Sequence, residues 1–335
     1  MSQQVAVIGA GSWGTTVASL AAAQAPTILW ARRAEVAEEV AARHTNSRYL
    51  GEAPLHPALR ATADLEEATA AADVLIVGIP SHGFRETLAD LAPWVRPGAP
   101  VIGLSKGLEP KTRMRMSEIV ADELPGHPAG VLTGPNLAKE VLAGQSAAAV
   151  VAMPDEPTAL DLQRLLSSDL FKLYRSTDVV GAEIAGALKN VFAIAAGIAS
   201  GLGTGDNTRA LVMCRAIAEM TRLGVAMGGD PMTFAGLAGI GDLLATCISP
   251  LSRNRTVGEQ LAAGRSIAEI TASMRQVAEG IKAAGSVVQL ADLHAVEMPI
   301  AGEVDAVVNH GRAPRDAFRN LLERVPTTEF HGVAL

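Results

Sequence analysis

Short apolar runs alternate with amphipathic stretches along the first half of the chain. Each run is almost continuously hydrophobic, which is typical of strands buried on both faces of a parallel sheet. Helical stretches such as 34–43, 65–72 and 84–92 separate the runs, so the pattern predicts a doubly wound α/β fold. The predicted strands are residues 5–8, 28–30, 74–79, 101–104, 131–133 and 148–152.

The rhythm changes after Thr177 to long helical periods without a strand signal, as in 179–200 and 208–227. Because 335 residues exceed what one hydrophobic core usually organises, we predict two domains. These are an α/β Rossmann-type domain over 1–179 and an all-α domain over 180–335. The stretch 184–198 raises the question of a membrane span, but Glu183, Lys189 and Asn190 interrupt the apolar region, and charge inside a bilayer is costly. We therefore expect a buried core helix and no stable membrane insertion.

Composition and charge limit the classes of partner that we expect the protein to bind. The net charge of -7 argues against a nucleic-acid or anionic-membrane surface, which needs clustered Lys and Arg. Cys214 and Cys247 lie among apolar neighbours without metal-ligand spacing, so we expect reduced core thiols and no metal site. The N-terminus enters a strand directly instead of a signal peptide, which predicts a cytoplasmic protein.

A glycine-rich turn follows the first predicted strand and precedes a helical run at 15–23. Gly9, Gly11 and Gly14 fit G-x-G-x-x-G, in which the first glycine permits the turn, the second lets backbone approach phosphate, and the third allows close helix–strand packing. Helix N-terminal amides then face a pyrophosphate. A purely structural glycine turn is the alternative, but the strand–turn–helix context favours dinucleotide binding by the first domain.

Two arginines stand where the second strand should meet the adenosine ribose. Arg32 and Arg33 occupy this place, and no acidic residue is there to pair with a free 2′-hydroxyl. Guanidinium groups suit a 2′-phosphate, so NADP(H) is the predicted preference, with NAD(H) still usable. Alternatively, the two arginines are only solvent-exposed residues at the start of the next helix.

Ligands of open α/β sheets bind beyond the carboxyl ends of the strands, so the residues after the apolar runs are site candidates. Lys106 follows one run and could meet a phosphate or a carbonyl oxygen, although a solvated loop lysine is equally compatible with its position. The candidate segments are Pro80-Ser-His82, Ser105-Lys-Gly107 and Gly134-Pro-Asn136.

Lys189 is a lysine within an apolar helical segment. Ala182, Ala185 and Gly186 fall on much the same side of that helix and leave room for a ligand. Burial disfavours the charged form of an amine, which makes a buried lysine a usable general base near neutral pH. Alternatively, Lys189 reaches the surface or pairs with Glu183. Because Glu183 does not lie on the same face of the helix, that pairing would be poor.

Two further segments bracket an apparent loop in the second half, namely Gly239-Ile-Gly-Asp-Leu-Leu244 and Ser252-Arg-Asn-Arg255. Asp242 could orient a substrate hydroxyl or the lysine, and Arg253 with Asn254 could clamp a phosphate or carboxylate. Structural roles remain open for each of these residues.

Together these segments closely resemble the bacterial NAD(P)-dependent glycerol-3-phosphate dehydrogenase family, nearly end to end. The shared motifs are Gly9-Ala-Gly-Ser-Trp-Gly14, Pro80-Ser-His82, Ser105-Lys-Gly-Leu-Glu109, Gly134-Pro, Gly186-Ala-Leu-Lys-Asn-Val191, Gly239-Ile-Gly-Asp-Leu243, Ser252-Arg-Asn-Arg255, Val277-Ala-Glu-Gly280 and Val296-Glu-Met-Pro-Ile300.

The resemblance implies hydride transfer between NAD(P)(H) and the pair dihydroxyacetone phosphate and sn-glycerol 3-phosphate, which supplies phospholipid synthesis. Lys189 would exchange the proton of the C2 hydroxyl. The implied substrate residues are Lys106, Gly134, Asn136, Lys189, Asp242, Ser252, Arg253 and Asn254. With the glycines and arginines above, the predicted cofactor residues are Gly9, Gly11, Ser12, Trp13, Gly14, Arg32, Arg33, Lys106, Ala138, Arg253, Val277 and Glu279. Asn136 stands where many members carry Ser or Thr, and its amide can still offer a hydrogen bond.

Two other functions compete with this one. The related 3-hydroxyacid and 6-phosphogluconate dehydrogenases also join a Rossmann domain to helices and use a helix lysine, but Ser252-Arg-Asn254 and Ser105-Lys-Gly107 favour glycerol phosphate. A catalytically silent dinucleotide sensor should have lost the lysine or the substrate loop, and neither is lost. The oligomeric state is open, and a homodimer is compatible with a helical domain of this size.

Overall fold

The computed structural model describes residues 3–274, 278–326, 328–329 and 332. The chain divides into two compact units. The first comprises Met1–Glu109 and Met114–Val179, and the second comprises Pro110–Arg113 and Val180–Leu335. The short piece that groups with the second unit has no signal in the hydrophobic pattern.

The first unit is built on an eight-stranded sheet with the order β3-β2-β1-β4-β5-β6-β7-β8. All neighbouring strands are parallel except β6 and β7, which are antiparallel. The strands are β1 Val5–Ile8, β2 Thr27–Trp30, β3 Arg60–Thr62, β4 Val74–Val77, β5 Val101–Gly103, β6 Ala129–Thr133, β7 Ala147–Ala152 and β8 Phe171–Ser176. The helices are α1 Ser12–Ala22, α2 Ala34–Arg43, α3 Ser47–Leu50, α4 Leu65–Thr69, α5 Ser81–Leu91, α6 Met116–Glu123, α7 Ala138–Leu142 and α8 Glu156–Leu166, with a 3₁₀ turn Ala92–Trp94.

Both faces of the central strands are buried, as their continuous apolar runs predict. Val7 and Ile76 belong to the core on one face, whereas Ile8 and Leu75 belong to the core on the other. The strand order reverses at β1 and β4, which makes the carboxyl ends of these two strands the expected ligand position. The glycine-rich turn lies there.

The predicted Rossmann-type class is confirmed, but three details of the sheet differ from the pattern. β3 has only three residues, Arg60–Thr62, and no apolar run. β8 alternates between buried and exposed positions because it is an edge strand, so it also lacks a continuous run. β7 runs antiparallel to β6, which departs from the predicted all-parallel rhythm.

The second unit is helical, as predicted, in the part of the chain that the structure describes. It contains α9 Val179–Gly201, α10 Asp206–Ala226, α11 Pro231–Ala235, a π-helical turn Leu237–Gly241, α12 Asp242–Ile248, α13 Arg253–Ala262, α14 Ile267–Ser273, α15 Glu279–Leu293, α16 Pro299–His310 and α17 Pro314–Leu322. By length and composition α9 could cross a membrane, and 94% of its apolar window is buried inside the protein.

The two cysteines differ in burial. Cys247 lies in the core, where burial raises the pKa of its thiol to about 12. Cys214 is exposed on α10, so the prediction that both thiols are core residues was wrong for Cys214. Its apolar sequence neighbours lie on other sides of the helix, and the neighbours alone did not reveal this.

Candidate active site and dinucleotide loop

Each of the three glycines in the turn has a different structural role. Gly9 has φ 118°, and an added Cβ would lie 2.7 Å from the Gly78 carbonyl oxygen. A Cβ at Gly14 would lie 2.1 Å from the Gly9 carbonyl oxygen, so this glycine permits close packing of α1 on the turn. A Cβ at Gly11 would meet no protein atom within 4 Å. Only Gly11 therefore leaves its space to something outside the described chain.

The start of α1 fits a pyrophosphate. Gly11 is the N-cap and has no side chain to satisfy the first amides of the helix, which an anion can do instead. Trp13 packs edge-on against Phe171 with ring centroids 5.9 Å apart. The buried Nε1 of Trp13 has no partner among the described residues. The Ser12 hydroxyl donates to the Tyr49 carbonyl oxygen at 3.3 Å.

Alanine substitutions should separate ligand approach from packing in this turn. We expect Gly11→Ala to leave the thermal midpoint unchanged and to raise the KM for the dinucleotide roughly tenfold or more, because the new methyl meets only the ligand. Gly14→Ala should lower the thermal midpoint, because its methyl collides with Gly9. Thermal melts and cofactor titrations measure both quantities, and equal melting losses in the two variants would contradict this assignment.

Arg32 and Arg33 follow β2 and are both exposed. Arg33 is the N-cap residue of α2, and its one side-chain partner among the described residues is Glu35, in a long ion pair of 3.8 Å. Among the described residues Arg32 has no hydrogen-bond or ion-pair partner, and its side chain is exposed. Two weakly engaged cations at this position can meet a phosphate without breaking internal bonds.

Lys106 is held in place and is not a freely solvated loop lysine. Its Nζ donates to the Gly134 carbonyl oxygen at 3.0 Å and to Asn136 Oδ1 at 2.7 Å. Gly134 has φ 134°, and a Cβ there would lie 2.9 Å from Ala149 Cα, so a side chain is excluded. The buried Nδ2 of Asn136 finds no partner in the described ranges. An ammonium and an N–H donor without a partner thus stand next to each other, as an anionic or carbonyl oxygen requires.

The loop that carries Lys106 is fastened at both ends. The Ser105 hydroxyl donates to the Ile79 carbonyl oxygen. Arg85 donates two hydrogen bonds to Glu109, from Nε to Oε1 at 2.9 Å and from Nη2 to Oε2 at 3.1 Å. Hydrogen bonds to Glu109 and Glu123 raise the pKa of Arg85 above its ordinary value. Sequence reasoning missed Arg85, which lies 24 positions from Glu109.

In the second unit, Lys189 is 7% exposed and forms a buried ion pair with Asp242. Its Nζ also donates to the Thr246 hydroxyl at 2.9 Å, and that hydroxyl donates to the Asp242 carbonyl oxygen at 2.7 Å. Asp242 supplies the countercharge that a buried ammonium requires. An ammonium has three N–H donors, and these partners use two of them, which leaves one N–H without a partner among the described residues.

This arrangement answers the question of the lysine's partner. Glu183 is buried as well, but the ion pair of Lys189 is with Asp242. Thr246 was missed, although its position one helical turn after Asp242 on α12 is a readable signal. The neighbouring Cys247 thiol stays protonated near neutral pH because burial raises its pKa.

Both polar atoms of the Asn254 side chain make hydrogen bonds within the protein. Its Nδ2 donates to Asn190 Oδ1 at 2.9 Å, and its Oδ1 accepts from the Gly280 amide at 3.0 Å. One buried amide thereby joins α9, α13 and α15. A phosphate or carboxylate clamp by Arg253 with Asn254 stays a prediction, and the two bonds show that Asn254 also has a structural role.

Backbone-to-backbone contact brings α9 and α13 close together. A Cβ at Gly197 would lie 2.1 Å from the Arg255 carbonyl oxygen, and a Cβ at Gly258 would lie 2.1 Å from the Ile194 carbonyl oxygen. The first residues of α13 are therefore fixed relative to the helix that carries Lys189.

The remaining predicted residues lie at helix starts. Ser252 is the N-cap of α13 and accepts from the Arg255 amide at 3.3 Å, and Arg253 begins the helix with an exposed side chain. Ala138 is the first residue of α7, and Glu279 is the first residue of α15. Val277 lies outside the described residues.

The first unit thus has the turn and helix start of a dinucleotide-binding fold, and the second has a buried ammonium that can exchange a proton. These are the parts of an NAD(P)-dependent oxidoreductase. Residues 4–159 match the family model for the NAD-dependent glycerol-3-phosphate dehydrogenase N-terminus, and residues 178–319 match the model for its C-terminus. The chain belongs to the NAD-dependent glycerol-3-phosphate dehydrogenase family.

Individual relatives support this membership. The chain is 57% identical to the NAD(P)+ glycerol-3-phosphate dehydrogenase of Mycobacterium avium, over 98% of this chain and 97% of the relative. It is 53% identical to a second such enzyme from Sphingopyxis alaskensis, over 99% of each chain. The crystal structure of glycerol-3-phosphate dehydrogenase from Coxiella burnetii is similar with a TM-score of 0.92 and 35% identity, over 96% of this chain and 99% of that one. The predicted family resemblance and NAD(P) dependence are confirmed.

Proposed function

We propose that this chain interconverts dihydroxyacetone phosphate and sn-glycerol 3-phosphate. The observation that carries the proposal is the buried Lys189 ammonium, which Asp242 and Thr246 hold with one N–H left over. When bound, the nicotinamide supplies hydride to C2 or removes hydride from it. Lys189 donates a proton to the C2 oxygen during reduction and takes the hydroxyl proton back during oxidation.

The other site residues bind and orient the substrate. Lys106 and the Nδ2 group of Asn136 would hold an anionic or carbonyl oxygen beside the Gly134 backbone. The exposed Arg253 guanidinium is a phosphate ligand in this proposal, with Ser252 beside it at the start of α13. Asn254 would contribute mainly by fixing that helix start.

We assign the cofactor to the glycine turn, whose Gly11 is open and whose α1 amides have no side-chain cap. Ser12 and Trp13 belong to the same turn, and Lys106, Ala138, Arg253, Val277 and Glu279 complete the proposed set. The first unit would thus bind the dinucleotide, and the second would hold the catalytic lysine.

A steady-state assay tests the substrate. NADPH oxidation should be fast with dihydroxyacetone phosphate and slow with a panel of short oxo acids. Comparable rates with the oxo acids would favour the related 3-hydroxyacid dehydrogenases. Tight NADPH binding without turnover would favour a dinucleotide sensor.

NADP(H) is the preferred cofactor in this proposal. Replacing Arg32 and Arg33 together with alanine should raise the KM for NADPH about tenfold to a hundredfold, the value of one or two charge-assisted hydrogen bonds, while the KM for NADH changes little. Arg164→Ala is a matched control, because Arg164 is also exposed with a long ion pair, 3.9 Å to Asp161. Equal effects on both cofactors would contradict the preference.

We also propose a cytoplasmic enzyme that supplies glycerol 3-phosphate for phospholipids and pairs as a homodimer. Exposed apolar side chains in the helical unit support pairing: Leu211, Met232, Ile248 and Leu251. Light scattering of the purified protein measures its mass directly, and a monomeric mass at micromolar concentration would exclude the dimer.

A further inference from the structure

The chain segment after α2 is fastened to the glycine turn. His44 ends α2 in the left-handed conformation, with φ 51°, and so redirects the chain. The short helix α3 begins three residues later at Ser47, and Asn46 pairs with Gly51 in an isolated antiparallel bridge. Residues 44–51 form a strap over this part of the chain. The motifs of the sequence analysis did not include this segment.

Asn46 makes the central contact between the strap and the turn. It is 0% exposed, and its Nδ2 donates to the Ala10 carbonyl oxygen at 3.1 Å and to the Thr15 hydroxyl at 2.9 Å. Ala10 lies between Gly9 and Gly11, and Thr15 lies in the first turn of α1. A single amide therefore joins the glycine turn to the helix that follows it.

The strap holds Asn46 through its own bonds. The Asn46 carbonyl oxygen accepts from the amides of Tyr49 at 3.1 Å and Leu50 at 2.8 Å. The Ser12 hydroxyl, which donates to the Tyr49 carbonyl oxygen, adds a second tie between strap and turn. Because Asn46 is anchored on its own side, its amide can restrain the turn.

The choice of asparagine has a cost that packing alone does not explain. The buried Oδ1 of Asn46 has no partner among the residues described, and a buried acceptor without a partner is unfavourable. An apolar side chain would avoid that cost. What the position gains from an amide is the pair of N–H bonds to Ala10 and Thr15.

We infer that Asn46 is a positioning residue for the dinucleotide. It orders the Ala10 peptide and the first turn of α1 before the ligand arrives, so that the Gly11 backbone and the helix amides meet the pyrophosphate without an ordering cost. The inference rests on the proposed cofactor site in the turn. It requires that loss of Asn46 weakens cofactor binding and leaves proton transfer at Lys189 intact.

The test uses two variants and a matched control in the full-length enzyme. Asn46→Ala removes both bonds, and Thr15→Val removes one partner without changing side-chain shape. Thr27→Val is the control, because Thr27 is also buried and its hydroxyl donates only to the Ala25 carbonyl oxygen at 2.9 Å. For each enzyme we would measure kcat, the KM for NADPH, the thermal midpoint, and inhibition by 2′-phospho-ADP-ribose and by adenosine 2′-phosphate, which lacks the pyrophosphate.

Asn46→Ala should raise the KM for NADPH and the inhibition constant of 2′-phospho-ADP-ribose roughly tenfold, and Thr15→Val about threefold, as expected for two bonds and one. The kcat at saturating NADPH and the inhibition constant of adenosine 2′-phosphate should change less than about twofold, and Thr27→Val should change neither KM nor inhibition. Equal losses for both inhibitors, or a fall in kcat with KM unchanged, would overturn the role of Asn46. If Asn46→Ala does not fold, Thr15→Val against Thr27→Val decides the question. A wild-type enzyme that 2′-phospho-ADP-ribose does not inhibit would instead overturn the proposed cofactor site.

Discussion

Replacing Lys189 with methionine is expected to lower kcat for dihydroxyacetone phosphate about a thousandfold, the scale of a lost general acid. Methionine keeps the unbranched shape of the side chain but cannot donate a proton to the C2 oxygen. The dissociation constant of NADPH should change little, because the glycine turn belongs to the other unit. Single-turnover kinetics and a cofactor titration measure the two effects separately.

Lys282→Met is the control for this variant. Lys282 also lies on a helix of the second unit, α15, but it is exposed. It should keep the wild-type kcat. If Lys189→Met retained more than a few per cent of activity, another group would have to donate the proton.

Asp242→Ala is expected to reduce the free energy of unfolding by about 3–5 kcal/mol, because it leaves the Lys189 ammonium buried without its countercharge. The side chains of Lys189 and Asp242 are only 8% and 2% exposed, so water screens the pair little. Urea unfolding followed by circular dichroism measures the loss.

The double variant Lys189→Met with Asp242→Ala tests the cause. Both charges are then absent, so most of the lost stability should return while the enzyme stays inactive. If the double variant were as unstable as Asp242→Ala, the loss would come from packing and not from an uncompensated charge.

Local patterns predicted those parts of the fold whose environment is uniform along the chain. β1 and β4 are buried on both faces and read as continuous apolar runs. The edge strand β8 has one exposed face, and β3 has three residues, so neither gave a run. The direction of β7 depends on how the chain returns to the sheet, which hydrophobicity does not encode.

The candidate site divides in the same way. The glycine turn is local, so spacing was enough to predict it. Asp242, the partner of Lys189, lies 53 positions away in the sequence. The sequence therefore indicated contact with the lysine only as one of several possible roles for Asp242. Asn46 was missed because nothing in its spacing shows that a buried amide 36 positions from Ala10 returns to the turn.

The contact of α9 with α13 has a consequence for how the enzyme tolerates change. Gly197 and Gly258 let the backbones of two helices touch; Lys189 lies on the first helix, and Ser252 is the N-cap of the second. A single added methyl at either glycine would act as a spacer between these helices, although neither glycine contacts a reacting atom. The distance from Lys189, the proposed proton donor, to the helix start proposed to bind substrate is thus set by two missing side chains, and the dimensions of the proposed site would be as sensitive to those positions as to the lysine's own neighbours.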